Sequence, residues 1–146
     1  MDTNSPNTPL DQGTYLSVLS QVPAARIKPF VDELLPTLGQ VTVQSNRTGL
    51  VMLPYTESVQ HTRFHLGEVL VSEAKVMLHG QTGYGACLGR DLEQSLAIAI
   101  LDAALQADIM TEPIQQFIQA ETRIQAAAEE TLLRQVEATR IEMETF

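Results

Sequence analysis

Tryptophan is absent from the 146 residues, and aromatic side chains make up only 5% of them. With apolar residues at 44%, alanine and the branched aliphatics must fill the core. There is one cysteine, Cys87, which excludes an intramolecular disulfide and a thiolate zinc cluster and fits a reducing compartment. Cations are scarce: nine lysines and arginines face eighteen acids, for a formal charge of −9 and a pI near 4.6. Such a chain lacks the basic surface that nucleic acid or an anionic membrane requires, so a phosphate-bearing ligand would need a local site. No apolar run approaches the roughly 18 residues of a membrane span. The opening stretch, Met1 to Gly13, is polar and has no apolar signal core. These absences predict a soluble, cytoplasmic protein with neither nucleic acid nor membrane as partner.

The length predicts one domain, 14–146, behind a flexible tail, 1–13. Thr14 is positioned to cap a short helix through about Leu19. Pro23 opens a second helical segment, Ala24 to Leu35, in which Ile27, Phe30, Val31, Leu34 and Leu35 follow helical spacing. Pro29 is awkward there and is tolerated only if the true helix starts near Lys28, because an interior proline breaks a hydrogen bond and clashes with the preceding turn; Pro36 with Gly39 ends the segment.

The pattern then becomes β-like. Val41–Val43 and Leu50–Leu53 read as two strands flanking a hairpin loop, Asn46-Arg47-Thr48-Gly49, with Pro54 closing the second and Thr56 to Gln60 a loop. A long third strand follows, apolar at Phe64, Leu66, Leu70, Ala74, Val76 and Leu78, as expected of an antiparallel sheet covered on one face, with Gly67 the natural bend. A turn at Gly80-Gln81-Thr82-Gly83 leads to a fourth strand. It carries Tyr84, Ala86 and Leu88 on one face and Gly83, Gly85 and Gly89 on the other, where missing side chains permit close approach. Asp91 and Gln94 form a capping-box-like pair before a helix that is apolar nearly all round, Leu92 to Ala107. Thr111 and Pro113 open a last helix of about 25–30 residues, long enough to cross or leave a compact domain. Beyond Thr139 the residues fit helix or strand equally, and an apolar projecting tail reads as a docking device. The fold class is α+β: short N-terminal helices, a four-stranded antiparallel meander, a buried helix and a long C-terminal helix.

Chemistry-bearing residues are few. Gly83-Tyr84-Gly85-Ala86-Cys87-Leu88-Gly89 is GxGxxxG and misses the GxGxxG dinucleotide spacing; a capped helix after a hairpin is the better reading, with Arg90 alone favouring an anion. His61, His65 and Glu68 lack metal-ligand spacing and read as a polar outer face. Cys87 reads as core, and no serine sits in a nucleophile elbow. Asp102, in an apolar helix, needs a partner: a structural pair with Arg63, Lys75, Arg90 or another chain, or else a catalytic role. Glu130 and Arg134 form an i,i+4 pair on a solvated helix face. The candidate anion or partner contacts are Arg63, His65, Arg90, Asp91 and Asp102; no catalytic residue is assigned and no metal is expected.

Several segments, in order and spacing, resemble the PhnG family. They are Thr48-Gly49-Leu50-Val51, Phe64 to Val71, Gly83-Tyr84-Gly85, Leu88-Gly89-Arg90-Asp91, Ala99 to Leu105 and Glu137 to Met143. The Leu-Gly-Arg-Asp segment followed by the Asp-Ala-containing helix is the most specific; the family often has paired aromatics where this chain has Met143 and Glu144. The resemblance implies the G subunit of a bacterial carbon–phosphorus lyase core complex for alkylphosphonate use. With the I and H subunits and the L component, it would be required for a transferase step from MgATP. In that step a phosphonate displaces adenine to give an α-D-ribose 1-alkylphosphonate 5-triphosphate (for methylphosphonate, the 1-methylphosphonate). The J subunit, also in the core complex, later breaks the C–P bond. MgATP would be a substrate of the complex, and this chain would bind no cofactor itself. The alternative is a stand-alone homodimeric module without catalysis, binding a small anion through Arg63, Arg90 and the glycine-lined face.

Overall fold

A computed structural model describes residues 11–56 and 63–144. The predicted tail to residue 10, the loop at 57–60, His61 and the last two residues lie outside them. The elements are α1 (Gln12–Ser20), α2 (Ala24–Leu38), β1 (Val41–Thr56), β2 (Arg63–Leu78), β3 (Gln81–Leu88), α3 (Leu92–Gln106) and α4 (Thr111–Glu144). The class is α+β, but the sheet has three antiparallel strands in the order β1-β2-β3, not four.

The expected hairpin loop is strand. Asn46, Arg47, Thr48 and Gly49 pair with Ala74, Glu73, Ser72 and Val71. β2 is 16 residues long and its ladder with β1 is continuous from Ser45 to Leu53, so pairing overrides the turn propensity of Asn and Gly. Arg47 confirms the register by bridging to Glu73 at 2.9 Å. The irregularities lie elsewhere: Gln44 is a bulge residue, and a second register shift next to Gly67 leaves Leu66 unpaired. Pro54 does not end β1, since this shift takes up its missing N–H and the strand runs on to Thr56. The turn between β2 and β3 is also tighter than expected. Only His79 (φ 49°) and Gly80 (φ 78°) lie between the paired Leu78 and Gln81, the left-handed geometry of a two-residue hairpin.

Both N-terminal helices are longer than expected: α2 opens at Ala24 after Pro23, as predicted, but runs past Pro36 to Leu38. α1 starts at Gln12, two residues before Thr14, with no side-chain cap from Asp11. α2 contains both Pro29 and Pro36. Ile27, Val31, Leu34 and Leu38 form its buried stripe. At about 1.5–3 kcal/mol each, their burial matches or exceeds the two prolines at about 3 kcal/mol each. Both prolines lie on the outer face, as do Ala25 and Asp32, whose carbonyls they disengage, so water takes the freed acceptors.

α3 is the centre of the core. From Ala97 to Ala104 every residue is buried. One side lies on the sheet and the other under α1 and α2. The glycine face of β3 is the face on which α3 rests: a Cβ added to Gly83 would stand 2.1 Å from the Ala99 carbonyl oxygen, and one at Gly85 2.3 Å from that of Ser95. Ser95, Ala99 and Ala103 recur every four residues, so small side chains on the helix meet absent ones on the strand. β3 pairs only with Val71 to Leu78, so the far half of the β1–β2 ribbon has no third strand. α4 docks through Ile114, Ile118 and Glu121 and then leaves the body; every described side chain after Gln125 is exposed. It is helical to Glu144, where strand had been an equal expectation. Its 34 residues span about 51 Å. Among the described residues no helix is long and apolar enough to cross a membrane.

Candidate functional site

Asp102 is fully buried, as its place in an apolar helix predicted, but its partners are not cations. The Tyr15 hydroxyl donates a short hydrogen bond to Oδ1. Gln12 Nε2 reaches Oδ1 and Oδ2 at 3.3 and 3.2 Å. The backbone N–H of Tyr84 donates to Oδ2 at 2.8 Å. The expected pairs with Lys75 and Arg90 do not form. α3 presents Asp102 to α1 and to the edge strand β3, so neutral donors reach the carboxylate first. Three neutral donors of this kind suffice for a buried carboxylate.

Tyr15 in turn accepts from Gln106 Nε2 at 3.1 Å, one helical turn beyond Asp102. Burial, then the hydrogen bond to Asp102 and its charge, push the Tyr15 phenol well above the ordinary tyrosine range. The phenol thus stays protonated and keeps donating. This network ties α1, β3 and α3 together. Sequence reasoning identified the acid and missed Gln12, Tyr15 and Gln106; the only local signal was the i,i+4 spacing of Asp102 and Gln106.

Asp91 caps α3 by accepting the Gln94 N–H at 3.0 Å, and Lys28 Nζ lies 3.1 Å away. Burial pushes the Asp91 carboxyl up, but the Gln94 bond and the Lys28 ammonium outweigh it and hold it below the usual range. The Gln94 side chain does not close the box; it donates to the Val22 carbonyl instead. Arg90 is exposed and has no partner among the described residues. The side chains of Arg63 and His65 lie outside the described residues; their backbones, on β2, pair with Thr56 and Pro54 on β1. Asp91 and Asp102 are eleven residues apart on one helix, about 16 Å. The described candidates therefore do not converge on one point.

A second cluster joins α2 to α4. Arg26 grips the buried Glu121 through two bonds, 2.7 and 2.8 Å, and Phe30 stacks on Phe117 with ring centroids 4.2 Å apart. A cavity of about 310 Å³ opens beside Tyr15, between α1 and the α3–α4 junction, with Leu105 and Ile118 in its wall.

Two surfaces carry apolar residues without cover. On the ribbon, Leu50, Val51 and Met52 are exposed in succession, and Leu88 is 72% exposed. On α4, Ile124, Leu132, Leu133 and Val136 are 47–62% exposed. On the outer sheet face the Arg47 guanidinium and then the Tyr84 hydroxyl hold Glu73 below the carboxylate range.

Cys87 is buried, and burial pushes its thiol up. Among the described residues no three of His, Cys, Asp and Glu are grouped to hold a metal. The glycine face that an anion would need is filled by α3, so the stand-alone anion reading loses that surface. Residues 12–146 match a family model described as phosphonate metabolism protein PhnG. No curated protein matches the chain.

Proposed function

Because the chain belongs to the PhnG family of phosphonate metabolism proteins, we propose that it is an accessory subunit of a carbon–phosphorus lyase core complex and has no catalytic centre of its own. The observation that carries this reading is the pair of uncovered apolar arms, the far half of the ribbon and the outer half of α4. Monomers rarely expose contiguous apolar surface of this kind, and it marks interaction sites. The scattered polar candidates support the same reading.

In this proposal the arms bind the I subunit, with the H and J subunits in the same assembly and the L component joining for the transfer. MgATP is the substrate of the complex. A phosphonate oxygen attacks ribose C1, the C1–N bond to adenine breaks, adenine leaves with the bonding pair, and the triphosphate stays on the ribose. The contribution of this chain is positional: assembly orients the reacting groups and excludes water, so that phosphonate rather than hydroxide reaches C1.

Co-expression with an I subunit followed by size exclusion tests the reading. A stable stoichiometric complex is expected, and Leu132→Asp with Val136→Asp should dissolve it while leaving the fold intact. ATP-dependent ribosyl transfer by the isolated chain, or an isolated chain that ignores the partner, would overturn it.

A further inference from the structure

The buried Asp102 fixes the chemistry of the cavity beside Tyr15. A carboxylate only accepts hydrogen bonds, so Gln12 must turn its amino group inward to reach it. Tyr15 spends its proton on Asp102, so its oxygen accepts, and Gln106 must also turn its amino group inward. Both glutamines line the cavity. Their carbonyl oxygens, with no donor among the described residues, are the polar atoms left for it.

The rest of the polar wall has the same bias. Asp108 accepts from Thr111 Oγ1 at 2.7 Å, which consumes the threonine proton and leaves the other carboxylate oxygen free. Gln115 has no partner among the described residues and can turn either end inward. Among the described residues no lysine, arginine or histidine lines the cavity. Its volume of about 310 Å³ falls at the lower end of small-ligand pockets.

We propose that this cavity is a binding site for a guanidinium or alkylammonium group. Acceptor oxygens and one carboxylate match a donor-only cation, and Leu105 and Ile118 suit its alkyl stem. The same wall rejects anions, so phosphonate and triphosphate bind elsewhere. The cation comes either from a free amine or guanidine or from an arginine or lysine of another protein. The inference stands independently of the proposed function, because it rests on the hydrogen-bond directions, charge and apolar lining of this cavity.

The test is a titration of the full chain followed by the side-chain amide resonances of Gln12, Gln106 and Gln115. Methylguanidinium chloride should shift them saturably, and neutral N-methylurea should bind about ten-fold more weakly. Methylphosphonate should leave them unmoved. Asp108→Asn should weaken methylguanidinium about ten-fold. Asn tolerates the left-handed backbone at this position (φ 57°), so the variant folds. Gln115→Leu serves as a second variant and should weaken binding less. A blocked arginine peptide that binds more tightly than methylguanidinium identifies a protein side chain as the occupant; equal affinity identifies a free cation. Failure to saturate, equal binding of N-methylurea, methylphosphonate shifts at the same resonances, or an unaffected Asp108→Asn variant would each overturn the proposal.

Discussion

Tyr15 does more for the fold than its size implies, because its hydroxyl holds the one buried carboxylate on α3. Tyr15→Phe keeps the ring and removes the donor, leaving Asp102 one bond short. A hydrogen bond to a charged group contributes about 1.5–3 kcal/mol, and a loss of this order is expected in urea unfolding. The pH dependence gives a sharper check. The folded phenol titrates above the unfolded value of about 10. Folding therefore favours the protonated form: the contribution is whole below about pH 10 and is lost as pH rises through the folded value. Tyr15→Phe should flatten the alkaline fall of stability; an unchanged slope would show that the Tyr15–Asp102 bond is not made in solution. That Asp102 needed a partner was legible in the sequence. Which partner was not, because Gln12 and Tyr15 lie 90 and 87 residues away and carry no charge to point to them.

Among the elements, the β3–α3 contact is the least tolerant. The nearest atoms to a Cβ on Gly83 include the backbone of Ala99 and Ala103, which has no rotamer to change. Gly83→Ala must push the core helix off the sheet, at a cost of at least about 3 kcal/mol. Gly49→Ala is the control: nothing lies within 4 Å of that Cβ, so its thermal midpoint should stay near the parent's. Equal behaviour of the two variants would refute the packing argument. The same two glycines show where sequence reading ran out. Their face was recognised as a place for close approach, but spacing does not say whether a ligand or a helix approaches. The strand count failed for a related reason. Asn46 to Gly49 carries local turn chemistry, and the sixteen-residue partner that overrides it lies across the loop that follows. The long apolar alternation of β2, the all-round apolar α3 and the start of α4 at Thr111 were legible, because each is a periodicity contained within its own element.

At the scale of the whole molecule, the body and the arms are separable. Among the described side chains, all the buried residues of α4 precede residue 122, and the Arg26–Glu121 and Phe30–Phe117 contacts hold that part to α2. A chain ending after Ala127 keeps them all. Its stability should stay within about 1 kcal/mol of the full chain, while its association with the I subunit is lost. A truncated chain that still forms the complex would assign the docking to the ribbon alone. An unfolded one would show that the outer helix supports the body.

α4 is also a ruler and a protractor. Beyond Gln125 it runs to Glu144 with no described side chain buried, so its tip is set by helical geometry alone. Each residue inserted there advances the tip by about 1.5 Å and turns it by about 100°. Two alanines added after Ala127 would point Leu132 and Val136 to nearly the opposite side; seven would restore their heading and carry them about 10 Å further out. A partner that tolerates seven but not two reads direction, and one that rejects both reads distance as well.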